Sequence, residues 1–238
     1  VPPVLSVYPY GDAAVCAHVS AATPPRAWEV VHALAGYLER TGPPAILNTV
    51  PTYDTVFVEF DCAAADRHQV RQAIEVAFDA LLCTEHRAGP EPRRFRVPVV
   101  YGGEHGPDLE FVASHLGLRP DELAAAHAGH VHSIRCLAGP VGGPMMAGPP
   151  LPSDVPRQRS PRTDVPAGAV LLAGRQAFLK TMRGPGGWQI VGRTPLSLID
   201  LDADPLVPWR PGDEIRFVPI DPEQWPAWEG RRPAHDDG

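Results

Sequence analysis

Lysine is almost missing from this chain of 238 residues: it occurs once, at Lys180, against twenty arginines. Acidic side chains outnumber basic ones 28 to 21, a formal net charge of −7, and no basic cluster interrupts that balance. A nucleic-acid binder needs a positive face to displace counterions from phosphate, so no nucleic-acid partner is expected. Long apolar runs are absent as well. Nothing approaches the ~18 consecutive apolar residues of a spanning helix, so no membrane partner is expected either. The opening stretch, VPPVLSVYPYGD, lacks the charged-then-apolar order of a secretory leader. These features lead to the expectation of a soluble, cytoplasmic protein. Cysteine is sparse and scattered (Cys16, Cys62, Cys83, Cys136), with no C-x-x-C pair. Neither a disulfide framework nor a zinc site is expected from it.

Proline, by contrast, is abundant at 30 residues, and 44% of the chain is hydrophobic, enough for a sizeable core. The first ninety residues read as one unit. Val4–Tyr8 and Ala13–Val19 are short β-type runs joined by the turn signal Tyr10-Gly11-Asp12. Thr23-Pro24 opens a helix as N-cap and first helical residue, and Trp28, Val31, Leu34, Ala35 and Leu38 supply its apolar stripe. Ile46–Val50 and Thr55–Phe60 are the next strands, followed by a helix over Ala64–Cys83. The order ββαββα predicts an α+β sandwich with both helices on one side of a small sheet.

The second part reads as mainly β. A strand over Phe95–Tyr101 precedes two short helices, Asp108–Leu116 and Pro120–Ala128, and a strand over Val131–Leu137. From Gly139 to Pro166, twelve of 28 residues are Gly or Pro, and no regular structure is expected there. Short strands then follow at Ala169–Ala173, Ala177–Met182, Trp188–Val191, Leu196–Ile199 and Glu214–Pro219, the spacing of a barrel or sandwich. The expected division is a sandwich domain over 1–88, a linker at 89–92, a barrel domain over 93–222 and a loose tail over 223–238.

Three local signals bear on chemistry. The first is Gly184-Pro185-Gly186-Gly187-Trp188 followed by Gly192-Arg193-Thr194-Pro195. Glycines allow positive φ, and neighbouring amides can then face an anion, while Arg193 offers a planar fork for a carboxylate. The alternative is a tight hairpin with Trp188 filling a core and Arg193 in a structural ion pair. The second is the pair Pro156-Arg157 and Pro161-Arg162, two forks on a proline-stiffened loop that either hold a carboxylate or face solvent. The third is His127, His130 and His132, where Gly129 breaks the helical spacing and no nearby Cys or carboxylate completes a metal set. Lys180 reads as a surface charge rather than a catalytic amine.

Taken in order, the strings VPVVYGGEHGPDLEFVASHLGL, PRQRSPRTDVPAGAV, GPGGWQIVGRTPLSLID and PGDEIRFVPID resemble the allophanate hydrolase subunit 1 family, which includes the B subunit of 5-oxoprolinase and the Kip-type kinase inhibitor. GDAAV and PTYDTVFVEFD match its first domain, so the resemblance covers nearly the whole chain. It implies an α+β N-terminal domain and a cyclophilin-like β-barrel. It further implies a small-molecule amide substrate, a sister barrel subunit of allophanate hydrolase subunit 2 type, and ATP used by the complex with no cofactor bound by this chain.

Matched to the family's motifs, His127 and Arg162 are the candidate catalytic residues; His127, the one matched group whose ordinary pKa lies near neutrality, is either the acid/base group or a buried structural histidine. Arg157, Gln176, Gly186, Gly187, Trp188 and Arg193 are the implied substrate-binding set. One departure is large: where the family carries Gly-Phe-x-Pro-Gly-Phe-x-Tyr-Leu, this chain has Leu137-Ala138-Gly139-Pro140-Val141-Gly142-Gly143-Pro144-Met145-Met146. Loss of aromatic walls and a hydroxyl changes a pocket's shape and polarity. Two further readings follow from that change: a stand-alone cyclase or lyase acting on a bulkier apolar metabolite, and a non-enzymatic regulator of a histidine kinase.

Overall fold

The computed structural model describes residues 1–83, 91–139 and 141–235. Residues 89 and 90 of the expected linker, 84–88 of the first domain and the last three residues lie outside the described residues. The chain divides into two compact units, Val1–Pro90 and Glu91–Gly238.

In the first unit, β1 (Val4–Pro9), β2 (Ala14–Ser20), α1 (Pro24–Thr41), β3 (Ile46–Pro51), β4 (Thr55–Phe60) and α2 (Arg67–Cys83) follow in order. The strands form one antiparallel sheet in the order β1-β2-β4-β3. Alternation decides which side of the sheet is buried: Val15, Ala17 and Val19 share a core with Val56, Val58 and Phe60. Val30, Val31, Leu34 and Leu38 of α1, with Val70, Ile74 and Phe78 of α2, complete that core. Thr23 caps α1 by accepting from the Arg26 amide at 3.4 Å, with proline at the first helical position.

The second unit starts with β5 (Arg94–Tyr101), α3 (Leu109–Leu116), α4 (Pro120–Gly129), β6 (Val131–Ala138), β7 (Gly143–Ala147) and β8 (Arg162–Val165). It continues with β9 (Ala169–Ala173), β10 (Gln176–Leu179), β11 (Gly184–Gly186), β12 (Gln189–Arg193), β13 (Glu214–Pro219), the short helix α5 (Trp225–Trp228) and β14 (Ala234–His235). Seven strands close a ring in the order β12-β9-β10-β7-β6-β13-β5, because β5 also pairs with β12. The first half of β5 carries β14 on the edge where its second half carries β12. β8 and β11 form a separate two-stranded ribbon. Inward-facing Val97, Val99, Ile134, Met146, Val170, Leu172, Leu179, Val191 and Phe217 fill the barrel, joined by Leu109 and Val112 of α3 and Leu123 of α4.

Three sequence expectations differ from the structure. The stretch 139–166 contains β7 and β8, so it is not wholly irregular. β7 is supported on both edges, by β6 and β10, and its one proline, Pro144, stands near the strand start where a missing N–H removes least. Leu196–Ile199 is not a strand: Leu196 and Leu198 are buried in the barrel core, and the Ser197 amide donates to Arg231 O at 2.8 Å. The tail from 223 is not loose through 235. It folds into α5 and β14, and Gly230 N donates to Pro195 O at 3.1 Å.

The parallel pairing of β5 with β13 joins segments 120 residues apart and is pinned by the buried carboxylate of Asp213. It accepts from Arg93 Nη2 at 2.6 Å, from the Arg93 amide at 3.1 Å and from the Arg210 amide at 2.9 Å. Asp213→Ala removes an ion pair whose carboxylate is buried and whose arginine is part-exposed, and it takes an acceptor from two amides. It is expected to lower the stability of the second unit by about 2 kcal/mol, read as a lower urea midpoint in the chain's tryptophan fluorescence.

Candidate active site

Residues between the inward-facing ones on β7, β9, β10 and β12 face outward. The register sets Met145, Phe178, Leu171 and Ile190 in one row across the four strands, with Gln176 flanked by Ala147 and Ala173 in the next. Val165 of β8 packs on this face in a buried cluster with Ala169, Leu171 and Ile190, and Phe178 and Trp188 lie half-buried against it. The Phe178 and Trp188 rings meet edge-on at 6.0 Å. Phe178 lies across β7 because position 143 is glycine: a Cβ there would stand 2.4 Å from the Phe178 ring. An aromatic from β10 thus covers part of β7.

The glycine-rich loop is not the positive-φ anion cradle, one of its two readings. Gly184, Gly186 and Gly187 are not among the left-handed glycines. Gly187 lies against Pro161 and accepts from the Gln158 amide at 2.8 Å. Gln158 Nε2 donates to Gln189 Oε1 at 2.6 Å, and Gln189 Nε2 donates to Pro156 O at 2.7 Å. These bonds tie residues 156–158 to the start of β12. They set the exposed Arg157 guanidinium 5.8 Å from the centre of the Trp188 ring. Among the described residues no carboxylate lies within ion-pair distance of Arg157.

Arg162 is differently placed. Its two terminal nitrogens donate to Asp108 Oδ2 at 2.9 Å and Oδ1 at 2.7 Å, so its fork is occupied by this chain's own carboxylate. Asp108, 7% exposed, also accepts from the Ile190 amide at 2.7 Å. Reading the sequence missed Asp108, where it stands only as the first residue of a helix. Its partners lie 54 and 82 residues further on, beyond any local spacing.

Arg193 at the end of β12 makes no ion pair among the described residues. Its Nε donates to Ala167 O at 3.0 Å and its guanidinium lies 5.2 Å from the Trp225 ring centre, with His105 stacked on that ring at 4.4 Å. Lys180 donates to Pro185 O at 3.1 Å, and burial pulls its pKa down. All four cysteines are free.

His127 lies inside the barrel core, not on the outer face. Fully buried on α4, it hydrogen-bonds through Nδ1 to the Tyr101 hydroxyl at 2.7 Å and packs on Phe217 and His132 at 4.6 and 4.5 Å between ring centres. His132 Nε2 donates to His127 O at 2.9 Å, and His130 meets the His132 ring edge-on at 4.8 Å. Burial, then the neighbouring histidines, pushes the His127 pKa well below the usual value, and burial lowers His132 to about 4. Among the described residues no group of three His, Cys, Asp or Glu is arranged to hold a metal ion, and no helix is long and apolar enough to cross a membrane.

The candidate residues therefore fall into three places. Arg157, Arg162, Gly186, Gly187 and Trp188 come together at the ribbon and the start of β12, with Gln176 two strands away on the same outer face. Arg193 stands at the other end of β12, and His127 is buried against Tyr101, His132 and Phe217.

The closed seven-strand barrel, with a separate small sheet and its helices, is of carboxyltransferase type: the family described as carboxyltransferase domain, subdomain C and D, matches residues 5–209. The 5-oxoprolinase B subunit of Bacillus subtilis (strain 168) is 33% identical over 208 residues, 84% of this chain and 86% of that protein. That of Escherichia coli O157:H7 is 42% identical over 130 residues, 55% of this chain and 60% of that one. The chain belongs to the family of the 5-oxoprolinase B subunits and the Kip-type inhibitors. Among solved structures, the K. lactis urea amidolyase shares the fold with a TM-score of 0.81 over 98% of this chain, at 15% identity. This chain spans 16% of that protein.

The buried histidines make stability acid-sensitive. The unfolded chain protonates them near 6.5, whereas folded His132 resists until about pH 4. Their stabilising contribution is therefore complete above pH 6.5 and is lost as pH falls from there toward 4. For His132 the loss is on the order of 3 kcal/mol. Thermal melts of the full chain are expected to show Tm falling between pH 7 and 5, with a flatter profile in His132→Asn.

Proposed function

We propose that the chain is the B-type component of a multi-subunit amide-processing enzyme, 5-oxoprolinase- or allophanate hydrolase-like. It works alongside a sister subunit of related barrel fold, of the allophanate hydrolase subunit 2 type. ATP, in this reading, is used by the complex and held outside this chain. The relatives' names, each that of one component of a 5-oxoprolinase, support the class. The observation that carries the site is the exposed Arg157 guanidinium laid over Trp188 with no carboxylate of its own.

A small planar amide has a carbonyl oxygen and an N–H edge. The Arg157 fork supplies donors to the oxygen or to a carboxylate on the same molecule. Trp188 and Phe178 supply a flat apolar wall, and Gln176 stands on the same outer face. These groups bind and orient; none is a nucleophile, so the bond-breaking groups come from the sister subunit, which closes the face and excludes water. Arg162 and His127 act from behind this surface, Arg162 through its pairing with Asp108 and His127 by filling the barrel as a neutral ring.

Co-expression with the sister subunit, followed by turnover of 5-oxoproline and linear amides with ATP, tests this. Arg157→Ala and Trp188→Ala are each expected to lower kcat/KM about ten-fold or more. Arg183→Ala, which removes an exposed pair with Asp164, is expected to leave it unchanged. Unchanged rates in the Arg157 and Trp188 variants would overturn the assignment. Turnover of an apolar metabolite by the chain alone would replace it with a stand-alone enzyme.

A further inference from the structure

We infer that Asp108 is a positioning residue for the substrate face, a single carboxylate that sets the pose of Gly187 and Trp188 from both sides. The use of that pose for substrate rests on the functional reading above; the positioning itself rests on the following geometry.

Along one edge β12 pairs with β9. Along its other edge β5 reaches only Gly192 and Arg193, so Ile190 and Val191 have no strand beside them there. The segment 102–108 takes that place. The Asp108 amide donates to Ile190 O at 3.0 Å, the Ile190 amide donates to Asp108 Oδ2 at 2.7 Å, and the Gly102 amide donates to Val191 O at 3.1 Å. So close an approach requires glycine at position 106, where a Cβ would stand 2.2 Å from Val191 O. The carboxylate thus does for β12 what a neighbouring strand would do, and β12 departs from regular register at this point.

On the far side of the loop, Gly186 is held in β11 opposite Arg162 of β8. Arg162 closes its fork on the same Asp108 carboxylate, at 2.9 and 2.7 Å. Only Gly187 and Trp188 and then Gln189 lie between these two attachments. Trp188 in turn carries the Arg157 guanidinium. A buried carboxylate with a bidentate arginine and an amide donor has little freedom, since moving any member leaves a charge or a donor unpaired. An asparagine at 108 with its oxygen in the Oδ2 position keeps the Ile190 amide and one Arg162 bond, but it turns an N–H on the other Arg162 nitrogen and removes the charge, so the bidentate fork is lost.

The test uses the full chain labelled with 5-fluorotryptophan, which contains five tryptophans; Trp188→Phe assigns the Trp188 resonance. In Asp108→Asn the Trp188 resonance is expected to move by more than its linewidth or broaden, while Trp28 and Trp209 hold theirs. Asp108→Glu is expected to return it part of the way. An unmoved Trp188 resonance in Asp108→Asn would overturn the inference. If that variant loses all five resonances, Arg162→Lys decides, because it keeps the charge pair and loses the fork. Displacement of Trp188 there supports the inference, and an unmoved resonance overturns it. In the reconstituted complex, Asp108→Asn and Trp188→Ala are expected to lower kcat/KM alike, about ten-fold, with no further loss in the double variant. Unaltered turnover beside a displaced Trp188 resonance would reject the catalytic use of the loop and leave the positioning role standing.

Discussion

Closure of the barrel depends on β5 holding two partners at once, parallel β13 along its length and antiparallel β12 at its end. Each junction has a backbone deficit that a ladder alone does not meet, and each is met by a buried aspartate. Asp213 takes up the Arg93 and Arg210 amides where β5 and β13 begin. Asp108 takes up the Ile190 amide where β5 no longer reaches β12. Both carboxylates are neutralised by arginine, Arg93 and Arg162, so that neither is an unpaired charge in the interior. An acidic chain with one lysine uses arginine for these contacts, where a planar fork can satisfy two oxygens together.

Closing the ring also divides the candidate residues into an inside and an outside. His127, His132 and Phe217 belong to the filled interior, where water is excluded and the histidines stay neutral. Arg157, Trp188, Phe178 and Gln176 lie outward, part wet and part apolar, as a face that a small polar molecule or a second protein can reach. In the proposed function the charged Arg157 fork on the Trp188 plane serves as a recognition surface. Under the proposed function the reacting groups come from another subunit, and the relatives' names are those of components of a larger enzyme.

Much of the fold was legible because it rests on local patterns. Val56, Val58 and Phe60 alternate as a half-buried strand must, and Thr23-Pro24 marks a helix start by side-chain chemistry alone. Elements that depend on distant support were not legible. Gly143–Ala147 is a strand because β6 and β10 flank it, not because its residues favour one. Ala234–His235 is a strand only because the first half of β5 has a free edge, and Leu196–Ile199 alternates to reach the core without joining a ladder. The ordered motifs named Arg157, Arg162 and Trp188, but in separate strings and separate roles; the ribbon and the start of β12 set them close together. Asp108, the carboxylate between them, was hidden because its role is defined by partners on two later strands.

The most direct test of the central claim is the composition of the native assembly. The full chain, tagged and purified from its own host under native conditions, would be weighed intact by native mass spectrometry. The account predicts a defined complex containing a second subunit of the related barrel type in fixed stoichiometry with this chain. A mass equal to this chain alone, or to copies of it alone, would contradict it.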